Sequence, residues 1–398
     1  MRQTVASPPL TKPAYDLASL RDQFEVTRQG LAYLNHAGMS PLPTPVRQAM
    51  VEAIDRMARE GSRVYTEYLT PLLEDLSQLV ARLVNAQAEE VAFVQNTSTG
   101  INLIAQSLPL RQGDNVLLCD VEFPSNVYPW LNLAQRGIET KIIPSRDGGL
   151  TLEGLEAARD TRSRVVAVSA VQFFTGRRED LMELGQYCAG HDLWLIVDAI
   201  QAAGIVPIDM QEMGIHALVT GGQKALMAPA GQGFMVIRSD LIEQMQPIFA
   251  GATSVANYEH WLHYDLSPRP GAARFQLGTA NIAGLAGLRA AIELLLEIGV
   301  EYIAEWVTHL SDLAIADLTE RGYRVITPAD PGHHANIVTF AWEGDPEAIV
   351  KALERRNIIL RPHQDAAGNH YLRISSHCYN TEEEVLCVGE ALEEGSHE

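Results

Sequence analysis

The feature that most limits what this chain can fold into is a series of short, nearly uninterrupted apolar runs separated by segments with helical spacing. VAFVQ (91–95), NVLLCD (115–120), ETKIIP (139–144), RVVAVSAV (164–171), LWLIVDA (193–199), HALVT (216–220) and GFMVIR (233–238) each read as a strand buried on both faces. Between them lie INLIAQSL (101–108) and REDLMELGQYCAGHD (178–192), whose apolar residues recur along one face of a helix. Such alternation predicts an α/β fold with a mostly parallel sheet covered by helices.

The pattern changes after about residue 245. Residues 247–280 are rich in Pro, Gly, Ser and aromatics, and residues 283–322 then read as one or two long helices. IVTFAW, DPEAIVKALERRN, YLRISS and TEEEVLCVGEALEE follow as strand, helix, strand and helix, a smaller α+β unit. The expected division is an N-terminal arm at 1–30 with a short helix near Leu17 to Phe24, a large domain at 31–285 and a small C-terminal domain at 286–398, joined by a long helix.

Composition narrows the class of function. Fifty acidic residues against 30 Lys plus Arg give a formal charge of −20, which opposes nucleic acid or an anionic membrane as the main partner. Four cysteines, Cys119, Cys188, Cys378 and Cys387, form no CxxC pair or disulfide framework. With no signal-like start and no apolar run of membrane-spanning length, the expectation is a cytoplasmic protein.

In open α/β sheets the ligand site lies beyond the carboxyl ends of the strands, so polar residues just after apolar runs carry the search. NTSTG (96–100) offers hydroxyls on Thr97, Ser98 and Thr99 at a helix start, either an anion cradle or a plain N-cap. Asp198 ends LWLIV, where an ionised acid needs a cationic partner, or else caps the next helix. Lys224 stands in a glycine-rich segment between two apolar strands, where burial favours the neutral, nucleophilic amine. Arg373 in YLRISSH presents a fork suited to a carboxylate, or to an internal salt bridge. A phosphate cradle, an acid facing a cationic ring, an imine-forming lysine and a carboxylate clamp are together what pyridoxal 5'-phosphate needs to act on an amino acid.

These residues carry a resemblance. YLNHAGMSPLP (33–43), NTSTGINL, EFPSNVYPW, IVDAIQAAG, GGQKALMAPAGQGF, RFQLGTAN and RISSHCYNT, in that order, are similar to the class V aminotransferase and cysteine desulfurase family, fold type I of the pyridoxal phosphate enzymes. The resemblance implies that Lys224 carries the cofactor, that Asp198 pairs with its ring nitrogen and that Gln201 bonds the ring hydroxyl. Thr97, Ser98 and Gln223 would hold the phosphate, Phe123 would cover the ring, and Thr279 would reach the phosphate of a neighbouring subunit in a homodimer. Arg373 would clamp the α-carboxylate of a small amino-acid substrate, with Asn35 and His36 beside it. No metal is implied, and His333 and His334 read as a turn.

The departures from that pattern bear on the reaction. Phe123 stands where desulfurases usually have His, Gln223 replaces the His before the lysine, and RPHQDAAGNHY (361–371) lacks the Cys that carries a persulfide. Transamination is the default reading. A carbon–sulfur lyase without a persulfide Cys, an amino-acid epimerase and a non-catalytic binding protein rank below it. Trp261, His263 and Tyr264 lie in a long loop and are further candidates for the substrate pocket.

Overall fold

Runs of β-branched and apolar residues become strands at the centre of the sheet because neither side of the run can face water, whereas the edge run 139–143, expected to be buried on both faces, leaves Glu139 and Ile142 exposed. In the computed structural model, which describes residues 12–395, the strands are β1 (Ala32–Tyr33), β2 (Val91–Val94), β3 (Asn115–Cys119), β4 (Glu139–Ile143), β5 (Ser163–Ser169), β6 (Trp194–Asp198), β7 (Ala217–Gly221), β8 (Gly233–Ile237), β9 (Ile337–Trp342), β10 (Ile358–Ile359), β11 (Arg361–Gln364) and β12 (His370–Ser375). The principal helices are α1 (Thr44–Glu60), α2 (Thr70–Val84), α3 (Thr97–Ser107), α4 (Leu181–Gly190), α5 (Ile282–Ile298), α6 (Val300–Glu320), α7 (Pro346–Glu354) and α8 (Glu382–Gly395).

β2 to β8 form one seven-stranded sheet in the order β2-β8-β7-β6-β5-β3-β4. All of its pairings are parallel except the two made by β8. The exception is local in origin. Residues 222–232 connect β7 to β8 without a helix, and a parallel return needs a longer crossover.

Alternate side chains of the central strands enter two different cores. Leu117, Val166, Val168, Leu195, Val197 and Leu218 face one layer of helices, while Val116, Leu118, Val165, Ala167, Ile196 and Val219 face the other. A third core lies between α6, α7, α8 and the sheet β11-β12-β9. Gly299, at φ +92°, separates α5 from α6. The first core takes Ile303 and Val307 from α6 and the third takes Trp306 and Leu310, so the two cores meet along that one helix.

The N-terminal segment ties the two parts together. Residues 1–11 of the expected arm lie outside the described residues. A short helix, Leu17–Arg21, follows, and Arg21 pairs with Glu384 at 2.7 Å while the Tyr15 hydroxyl donates to the Cys378 carbonyl at 2.6 Å. β1 then pairs in parallel with β10, and Asn35 bridges to Ser375. From there the chain passes to the large sheet, where the Ser40 N–H donates to the Gln223 carbonyl at 2.8 Å. Among the described residues, no helix is long and apolar enough to cross a membrane.

Candidate active site

The ends of β2, β3, β5, β6 and β7 converge because their strands are parallel and their polar exits follow apolar cores. After β2, the cap of α3 is made by Asn96, whose Oδ1 accepts from the Thr99 N–H at 2.9 Å. That cap leaves Thr97 free for another use, and its buried hydroxyl oxygen has no hydrogen-bond partner. Gly221, at the end of β7, lies against it. A Cβ there would come within 2.8 Å of Gln223 Oε1 and 3.4 Å of Thr97 Oγ1, filling the space between them. Ser98 bonds Ser125 at 2.7 Å, Oγ to Oγ, which links this cradle to the exit of β3.

Asp198 is buried at the tip of β6, and no helix starts beside it. Its Oδ1 accepts from the Ile200 N–H at 2.9 Å, and its Oδ2 is unpaired. Burial raises its carboxyl above the ordinary aspartate range, and Glu122 adds to the rise. Lys224 follows β7, largely buried, and burial lowers its amine below the ordinary lysine range. Its Nζ lies 5.1 Å from the centre of the Phe123 ring. Phe123 in turn meets Phe173 edge to face at 5.0 Å.

Arg373 on β12 is 3% exposed. Its Nη1 donates to the Phe173 carbonyl at 2.7 Å and its Nε is buried without a partner. Among the described residues no carboxylate pairs with it, so the internal salt bridge considered above is not formed. Burial lowers its pKa to about 9, with Arg361 adding to the effect from the facing position on β11.

The remaining expected residues sit around this centre. Gln201 Nε2 donates to the Ala37 carbonyl at 3.0 Å. His36 is buried behind Lys224, where its Nδ1 meets Ser40 Oγ at 2.8 Å and that hydroxyl donates to the Lys224 carbonyl at 2.6 Å. Asn35 Oδ1 is buried and unpaired. Thr279 lines a cleft of about 590 Å³ together with Ser98 and Thr99 of its own chain. Trp261, His263 and Tyr264 are not among these groups. Within one chain they line a separate groove of about 620 Å³, with Trp261 83% and Tyr264 89% exposed. His334 Nδ1 meets the Pro328 carbonyl at 2.9 Å, and its Nε2 lies 3.0 Å from Asp312 Oδ1.

Three residues near the centre were not singled out from the sequence. Glu122 is buried under Phe123 and fully hydrogen-bonded, and its place directly before an aromatic at a strand exit was the available signal. Phe173 supplies a ring and a carbonyl. His363 on β11 packs near Phe173 and Phe174, with burial and the cations Arg373, Arg361 and Lys224 lowering its pKa to about 3. Its strand was hidden in a polar stretch with no apolar alternation.

The unpaired atoms test the fit of a cofactor. Thr97 Oγ1 beside Gly221 and the start of α3 could hold a phosphate. Asp198 Oδ2 could hold a protonated ring nitrogen, Lys224 an aldehyde carbon, and the open edge of Arg373 a carboxylate. The residues present fit pyridoxal phosphate and an amino acid.

Comparison with known proteins agrees. Residues 32–388 match the sequence model described as aminotransferase class V. A probable cysteine desulfurase of Methanothermobacter thermautotrophicus is 31% identical over 396 residues, covering 95% of this chain and 96% of the relative. A solved cysteine desulfurase from Thermococcus onnurineus aligns with a TM-score of 0.86 at 25% identity, over 97% of this chain and 99% of that one. A cystine C-S lyase solved with its product cysteine persulfide shares the fold, with a TM-score of 0.82 and 24% identity over 91% and 97% of the two chains. The chain belongs to the class V aminotransferase family, whose cofactor is pyridoxal phosphate.

Proposed function

We propose that this enzyme is a carbon–sulfur lyase that eliminates sulfur from the β-carbon of a small amino acid without passing it to a cysteine of its own. The observation that carries this reading is the placement of the thiols. Cys119 and Cys188 are buried in the first core, and Cys387 lies on α8. Cys378 is buried against His377, with its thiol pushed far up by burial. The β11–β12 hairpin before Arg373 turns tightly at Asp365, whose carboxylate accepts from the N–H groups of Ala367 and Asn369, and it holds no thiol. The curated relatives bear the name cysteine desulfurase, which supports sulfur chemistry over the transamination taken as default from the residues alone.

Bound pyridoxal phosphate supplies an electron sink for charge developing at Cα. We assign the rest to the chain. Lys224, neutral at lower pH than an ordinary lysine, takes the Cα proton as general base. Asp198 holds a positive charge with its open oxygen. Arg373 fixes the α-carboxylate, and the Phe123 ring, 5.1 Å from the Lys224 amine, covers the cofactor face. Thr97, Ser98 and Gln223 anchor the phosphate, with Thr279 supplied by a second copy of the chain. With no thiol to take the sulfur, it departs as sulfide from cysteine or as a persulfide from a disulfide. Cystine plus water gives pyruvate, ammonia and cysteine persulfide. The persulfide is the less basic leaving group, so the disulfide is the better substrate.

The test is to give the holoenzyme L-cystine, L-cysteine and, separately, L-alanine with a 2-oxo acid. Pyruvate and reduced sulfur should appear in equal amounts, faster from cystine. Amino transfer to the oxo acid that outpaces pyruvate release overturns the reading.

A further inference from the structure

The Glu122 carboxylate, just beyond β3, has all of its acceptor positions filled. Oε1 accepts from the Ser169 N–H at 2.9 Å and from Gln172 Nε2 at 2.7 Å. Oε2 accepts from the Ser169 hydroxyl at 2.5 Å and from Asn126 Nδ2 at 2.9 Å. Asn126 Oδ1 is itself taken by the Trp130 Nε1–H at 3.1 Å, which fixes the orientation of that amide. Burial raises the pKa of this carboxyl and its hydrogen bonds lower it, and the three N–H groups, which can only donate, favour the ionised form. A buried charge seldom gains stability over an apolar side chain of the same size, so this one calls for a use beyond stability.

Its partners reach the other strand exits of the site. Glu122 directly precedes Phe123, whose ring faces the Lys224 amine. Ser169 is the register partner of Asp198 across β5 and β6. Gln172 precedes Phe173, whose carbonyl receives Arg373 and whose ring meets Phe123. We propose that Glu122 is a positioning residue for the reaction: its carboxylate locks the Phe123 and Phe173 loops around Lys224 and Arg373, and places a second negative charge alongside Asp198. The mechanism assigned above does not use this group, and its role rests on Lys224 being the residue that carries the cofactor.

The titratable groups around Glu122 are Asp198 at the end of β6, Glu179 with its partner Arg177 beyond β5, and Cys119 and Asp120 on its own segment. A negative charge here favours the protonated form of a nearby cationic group, so its removal moves that group's titration to lower pH.

The experiment follows the visible absorbance of the Lys224-bound cofactor against pH in wild-type holoenzyme and in Glu122→Gln, with substrate kinetics alongside. The midpoint should move down by about half a unit or more, and kcat/KM should fall roughly tenfold. Gln172→Met, which keeps the charge and removes one donor, should leave the midpoint in place while KM rises roughly fivefold through Phe173 and Arg373. This second variant keeps the test open if Glu122→Gln does not fold. An unmoved midpoint in folded Glu122→Gln, or wild-type KM in Gln172→Met, overturns the proposal. Failure of the Lys224 reading is separable, because Lys224→Ala would then retain the cofactor absorbance.

Discussion

The exits of β3 and β6 each carry a buried carboxylate, and the two differ in how their oxygens are used. Glu122 accepts four hydrogen bonds, two on each oxygen. Asp198 accepts one from Ile200, and its other oxygen faces no donor. The chain satisfies the first group with its own donors and leaves the second open. Thr97 Oγ1 and Arg373 Nε are open in the same way. At these strand exits and on β12, the buried polar atoms that the chain leaves unpaired are the ones proposed to meet ligand groups, and the carboxylate that it satisfies is proposed as part of the frame.

The largest effect that could break this contrast comes from Asp198→Asn. Activity should fall about 10²- to 10³-fold, since the partner of a buried charge is removed. Cofactor-free protein should instead gain about 1–3 kcal/mol, because an unsatisfied buried charge is gone. The gain has a pH sign. A carboxyl raised by burial contributes full stability below the ordinary aspartate range and loses it as pH rises through the shifted value. The advantage of Asn over Asp should therefore grow from acid pH toward neutrality in urea unfolding of the cofactor-free protein. Glu122→Gln, which turns donors against donors, should lose stability in the same assay. Equal loss in both variants would break the contrast.

The contrast also explains what the sequence made legible. Asp198, Lys224 and Arg373 stood out because a polar residue in an apolar run advertises a cost that something must offset. The strands of the large sheet were legible for the same reason of burial. The long-range assembly was not. The pairing of β1 with β10, the His36 to Ser40 to Lys224 carbonyl chain and the β11 strand rest on contacts between distant segments with no local apolar pattern. Glu122 was illegible for a subtler reason. Three of its four hydrogen bonds come from residues 169 and 172, so Asn126 alone, four residues on, could not show that an acid there would be satisfied.

Arg373→Met sharpens the contrast on the substrate side. Its guanidinium is buried, lowered to about 9 and without a carboxylate partner among the described residues, so the free chain keeps it at a cost. The variant should retain cofactor absorbance and raise the KM for the amino acid by roughly 30-fold or more, from about 2 kcal/mol of lost pairing. Thermal unfolding of the substrate-free protein should be unchanged or shifted upward. A drop in Tm with unaltered KM would make Arg373 part of the frame instead.

Thr97→Val is the smallest and most selective step, because the two side chains have nearly the same shape and only the hydroxyl is lost. Thr97 Oγ1 is buried and unpaired, so the cofactor-free protein should keep its stability or gain up to about 1 kcal/mol. Cofactor affinity should weaken by about 5- to 10-fold, the share of one hydrogen bond, with kcat at saturating cofactor close to wild type. Titration of the cofactor-free variant with pyridoxal phosphate, followed by absorbance, measures this directly. Because Asn96 already caps α3, a loss of helix stability in Thr97→Val would mean that the hydroxyl serves the fold, and that unpaired buried atoms do not mark ligand positions at this strand exit.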